Sequence, residues 1–165
     1  MYEDMLVKLY ELPPLEAVLA TQAEQGITVR RAIGPERGVV VDWVEAHFGL
    51  TWRSECEVAF GHQPIGCFVA ISERQMLGFA CVDATARGFF GPTGVDENQR
   101  GRGIGKALLL IALHDLRQQG YGYGIIGGAG PQDFYARAVG ATVIPGSNPG
   151  VYQGMLRPKK AVEED

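Results

Sequence analysis

Apolar positions change their spacing along this chain, and each change marks an element. Residues 14–25 put Leu15, Val18, Leu19 and Gln22 on one side of a helix, after a short extended piece at 6–9. Alternation over 27–33 predicts a strand. Pro35 then opens a helix carrying Val39, Val40, Trp43, Val44 and Phe48, which Gly49 stops, and residues 51–60 form a second short one. From there the period shortens to two. Residues 67–71, 77–83 and 89–95 predict three strands, and the turns at 73–75 and 86–88 are so short that the strands must run as an antiparallel meander. A long helix at 103–120 and a buried strand at Ile125 and Ile126 follow, making a parallel crossover with the third meander strand. A helix at 131–139 ends at Gly140, and 142–144 with 151–156 predict a closing hairpin around 146–150.

These elements describe one domain over residues 1–156 of mixed α/β class. Residues 1–25 read as an N-terminal extension and 157–165 as a charged, frayed tail. A chain of 165 residues that is 46% hydrophobic can bury a real core. Its net charge of −4, with no basic block outside one short loop, argues against a nucleic-acid partner and suits a cationic substrate. The acidic start and the shortness of the most apolar run, 107–113, argue against a secretory signal or a membrane span. Cys56, Cys67 and Cys81 are odd in number and lack C-x-x-C spacing. They read as small buried residues of a reduced, cytoplasmic protein, with no disulfide framework and no metal.

Candidate chemistry concentrates in one stretch, VDENQRGRGIGKALLL from Val95 to Leu110. Gly101, Gly103 and Gly105 leave the backbone N–H groups unshielded where the long helix begins, and its unpaired donors and dipole favour an anion there. Arg100, Arg102 and Lys106 crowd the same turn, which makes sense around a pyrophosphate. The spacing fits neither common phosphate loop. Arg100 stands where a Walker loop needs glycine and Ala107 where it needs Ser or Thr, and the dinucleotide fingerprint ends on Lys106 or Leu108 instead of glycine.

A second feature adjoins it. Gly91, Pro92 and Gly94 interrupt the strand at 89–95, and proline is foreign to a central strand. A bulge there would pull the strand from its parallel neighbour and leave amides near Val95 free to pair with an extended, amide-bearing ligand. Free strand amides leading into a pyrophosphate turn suit coenzyme A. Of 23 glycines, twelve fall between Gly88 and Gly130, where this close backbone approach is required.

On these residues the sequence resembles the GNAT N-acetyltransferase superfamily. Arg100, Gly103 and Gly105 occupy its acyl-CoA motif Q/R-x-x-G-x-G/A, and the element order matches from about residue 27 to 156. The resemblance implies a central mixed, mostly antiparallel sheet of six to seven strands, flanked by helices and splayed between the fourth and fifth family strands. It implies acetyl-CoA bound by Val95 and Asp96 through their backbone and by Arg100, Gly101, Arg102, Gly103, Ile104, Gly105 and Lys106 at the pyrophosphate. It also places Tyr135 as the acid that protonates the departing thiolate, with one extra residue between it and Gly140. A phenol of pKa about 10 donates to a thiolate whose conjugate acid lies near about 8.5 only when held beside it.

Two departures stand out: Gly128 replaces a frequent asparagine, and the strand at 89–95 carries no carboxylate to act as base. Asp83 and Glu55 lead the remaining candidates, with Glu57, His62 and Glu97 behind them. The acceptor is expected over residues 47–64, where Trp52, Glu57 and Phe60 would form its walls. The activity expected is direct attack by a primary amine, of a small molecule or a peptide, in a ternary complex of a monomer or homodimer. A non-catalytic acyl-CoA-binding module is the alternative, and a nucleotide-phosphate protein of another type comes third.

Overall fold

The computed structural model describes residues 2–159. Five helices and seven strands follow one another as β1 (Met5–Lys8), α1 (Leu15–Glu24), β2 (Thr28–Arg31), α2 (Arg37–Phe48), α3 (Leu50–Phe60), β3 (Cys67–Ser72), β4 (Gln75–Val82), β5 (Phe89–Val95), α4 (Ile104–Gln118), β6 (Tyr123–Ile126), α5 (Gln132–Val139) and β7 (Thr142–Val143). The strands form one sheet in the order β2-β3-β4-β5-β6-β1-β7. Every neighbouring pair is antiparallel except β5 with β6. No helix among the described residues is long and apolar enough to cross a membrane.

Both faces of the meander are covered, which explains why its strands are almost continuously apolar. Phe68, Ala70, Ala80 and Val82 turn to one core, shared with Leu108, Leu109, Leu113 and Leu116 of α4 and with the apolar side of α1. Their neighbours Cys67, Val69, Phe79 and Cys81 turn to a second core under α2 and α3. One residue of offset thus decides which core a strand residue enters.

The splay is present where the sequence places it. β5 pairs with β6 only at Phe89↔Ile125 and Phe90↔Ile126. On its other side the register with β4 slips between Val82↔Phe90 and Ala80↔Thr93, so β5 carries an extra residue at Gly91 and Pro92. Counting β1, the diverging strands are the fifth and sixth.

Two expectations change. Residues 151–156 do not return as a strand: Gly150–Tyr152 forms a 3-10 turn, and Gly154 holds a φ of +72° that strands exclude. β7 pairs instead with β1, at Met5↔Val143 and Leu6↔Thr142. The segment read as an extension therefore supplies a strand seated between β6 and β7, and α1 packs through Leu15, Val18 and Leu19 on the first core. Of the tail, residues 157–159 carry no regular element, and 160–165 lie outside the described residues.

Candidate functional site

The glycine-rich turn is built from both ends. Asp96 donates its N–H to the Leu77 carbonyl (2.8 Å), and its carboxylate accepts the Asn98 N–H (2.9 Å), which fixes the exit from β5. Gly101 and Gly103 both hold φ of +80°, and Gly103 is the N-cap of α4 with no side chain closing it. The first N–H groups of α4 therefore stay open, at the positive end of a 15-residue helix.

Helix α1 braces this turn from behind. The carboxamides of Gln22 and Gln25 both donate to the Arg102 carbonyl, at 2.9 and 3.0 Å. The Arg102 guanidinium in turn donates to Gln25 Oε1 (3.2 Å) and Gln99 Oε1 (2.6 Å). The φ of Gly103 favours glycine, and a Cβ there would also crowd Gln22 Nε2 at 3.0 Å. Arg102 thus belongs to the scaffold, while Arg100 and Lys106 are exposed beside the helix end.

The strand edge follows from register. Asp96 is hydrogen-bonded across to Leu77, so the next pair, Gly78↔Val95, is a non-hydrogen-bonded one. The N–H and C=O of Val95 point away from β4, into the space that β6 vacates after Ile126. At Gly94 a Cβ would strike the Phe48 ring, which packs there against Trp52 (4.9 Å) and Phe79 (5.9 Å).

That space is a cleft of about 960 Å³, walled by Val95, Gly105 and Leu109 on one side and Ile126, Gly127 and Tyr135 on another. Tyr135 is 6% exposed, edge-on to Phe90, and burial pushes its hydroxyl up to about 12. Trp52 and Glu55, one helical turn apart on α3, reach the cleft together. Burial raises the Glu55 carboxyl, opposed by a short hydrogen bond from the Thr85 hydroxyl. Tyr152 also lines the cleft, its phenol raised mainly by burial.

Three candidates are placed elsewhere. The Asp83 carboxylate accepts the Gly88 N–H (2.7 Å) and its own φ is +55°, so it shapes the β4–β5 turn, outside the cleft lining. Glu57 leans on Arg53 (3.3 Å), which also binds Asp42 (2.8 Å) and Glu45 (2.6 Å), in an exposed network away from the cleft. Phe60 is buried in the second core with Cys56 and Ala59.

Sequence reasoning missed other residues. Thr85 and Tyr152 carry no motif, and only the folded turn brings them to Glu55. Buried Asp4 accepts the Gly128 N–H (2.7 Å), so a carboxylate from β1's leading end orders the loop around Gly128.

A sequence model described as the Acetyltransferase (GNAT) family matches residues 37–140. No curated protein matches the chain. Among solved structures, the fold is similar to the GCN5-related glucosamine N-acetyltransferase region of a fungal multi-domain GH3 β-N-acetylglucosaminidase, at 16% identity and a TM-score of 0.72 over 87% of this chain and 20% of that one. It is also similar to a GCN5-related N-acetyltransferase from Sphaerobacter thermophilus, at 24% identity and a TM-score of 0.64 over 86% of this chain and 48% of that one. The chain therefore spans about half or less of each of these two relatives, and the likeness is one of fold.

Proposed function

Because this chain belongs to the GNAT acetyltransferase family, we propose that it transfers an acetyl group from acetyl-CoA to a primary amine by direct attack within a ternary complex. One observation carries the reading: the unpaired edge of Val95, the open start of α4 and a cleft holding Glu55 and Tyr135 are continuous.

Each end of the cleft has a task. The Val95 N–H and C=O pair with the amides of the pantetheine arm as a missing strand would. The α4 N-terminus takes the pyrophosphate, with Arg100 and Lys106 beside it. Glu55, the carboxylate among the described residues of the cleft lining, attracts the ammonium of a small-molecule or peptide amine and takes its proton. The freed nitrogen attacks the thioester carbon, the carbon–sulfur bond breaks, Tyr135 gives its hydroxyl proton to the sulfur, and the proton that the new amide nitrogen sheds restores the phenol. Trp52 and Tyr152, which line the same cleft as Glu55, wall the acceptor.

The test is thiol release from acetyl-CoA with a panel of small amines, amino acids, aminoglycosides and peptide N-termini. At least one class should be turned over, with the product amide found by mass spectrometry. Glu55→Gln should lower kcat/KM by about 100-fold or more. Coenzyme binding without turnover on any amine would replace this reading with an acyl-CoA-binding module.

A further inference from the structure

Cys56, Cys67 and Cys81 are scattered in sequence but meet in the fold. Cys67 and Cys81 are cross-strand partners on β3 and β4, and both turn to the second core. Cys56 descends onto them from α3. All three sulfurs lie within 4.8 Å of one another, with Cys56 and Cys67 at 3.9 Å, and all three residues are 0% exposed. Spacing along the chain gave no sign of this, because the three ligands sit on three elements.

Three converging sulfurs are one too many for a disulfide and one too few for a closed structural zinc site. Among the described residues no His, Asp or Glu joins them as a fourth ligand. Their surroundings are apolar: Val44, Ala59, Val69 and Phe79 share the cluster. Charge then selects the guest. Three thiolates around a monovalent ion carry a net charge of −2, and around a divalent ion −1, and burying either without a partner is costly. Around a trivalent centre the charge is zero.

We propose that Cys56, Cys67 and Cys81 form a three-sulfur site for a trivalent, thiophilic metalloid of the arsenite class, bound as a neutral tris-thiolate. Arsenous acid exchanges its three As–O bonds for three As–S bonds, and each thiol proton leaves with one hydroxide as water. No electron is transferred. The lone pair on the trivalent centre completes its coordination, so three ligands suffice. Sulfurs held at about 2.3 Å from one centre are at most about 4 Å apart, so the cluster closes by side-chain adjustment alone. Because the sulfurs are fully buried, the guest enters when α3 lifts from the sheet, and uptake should quicken in urea too dilute to unfold the chain.

Native mass spectrometry of the reduced full chain with sodium arsenite tests the site without reference to acetyl transfer. The wild type should gain one arsenic and lose three protons, and its Tm should rise. Cys56→Ala, Cys67→Ala and Cys81→Ala, checked for folding by circular dichroism, should each bind at least 100-fold more weakly. X-ray absorption of the loaded wild type should show three sulfurs and no oxygen around arsenic, a readout that needs no variant. An adduct retaining a hydroxyl, no uptake at millimolar arsenite, or uptake of copper(I) with refusal of arsenite would each overturn the proposal.

Discussion

Tyr135 shows how one side chain's surroundings prepare it for one task. With its hydroxyl pushed up to about 12 by burial, it stays protonated across neutral pH, the state that the proposed donation to sulfur requires. Tyr135→Phe should therefore lower kcat by about 100-fold while leaving the calorimetric Kd for coenzyme A within about twofold, since the ring still packs on Phe90. An unchanged kcat would remove Tyr135 from the chemistry. At this scale the sequence was half legible. The open turn at the start of α4 was readable from the close spacing of Gly101, Gly103 and Gly105, whatever binds there. The acids were not. Glu55 and Glu57 stand two positions apart on α3 and so face different ways, and nothing local to the helix says which side the cleft occupies. The burial of Phe60 was legible in principle: with Cys56 and Ala59 it completes an i, i+3, i+4 stripe, which is a core signature.

At the scale of elements, helix α1 acts on the glycine-rich turn from a distance in sequence. Gln22 is 2% exposed and its Oε1 has no hydrogen-bond partner, so the side chain is kept buried for what its Nε2 does at the Arg102 carbonyl. Held this way, that carbonyl faces α1 and not the space proposed for the pyrophosphate. Replacing both Gln22 and Gln25 with Ala should raise KM for acetyl-CoA at least tenfold with kcat nearly unchanged, in steady-state kinetics at saturating amine. A fall in kcat alone would assign α1 a different role. The meander was legible because short turns leave its strands one arrangement. The place of β1 was not, since a four-residue strand carries no mark of a partner some 120 positions away. The same gap in local information produced the expected hairpin at 151–156, whose place beside β7 belongs to β1.

The molecule as a whole has an acid-sensitive tie near the open edge of its sheet. Arg30 on β2 grips Glu36 through two hydrogen bonds, 2.8 and 2.7 Å, and the Ile33 N–H adds a third at 2.9 Å. Chiefly through Arg30, the carboxyl is lowered from 4.5 to about 2. A carboxyl lowered on folding contributes stability above its unfolded pKa and loses it as pH falls through the folded one. Glu36→Gln should therefore flatten the pH dependence of urea unfolding between about 4.5 and about 2, with little change in its slope above that window. Equal acid dependence in the two proteins would show that the tie contributes nothing.

The seat of β1 has a consequence for how the chain is made. Met5 lies against Ile126 on one side and Val143 on the other. A ribosome delivers those partners some 120 positions or more after Met5, so β1 waits longer than the meander strands to find its neighbours. Until then β1 has both of its edges unpaired, and the wait exposes the nascent protein to pairing with a stranger.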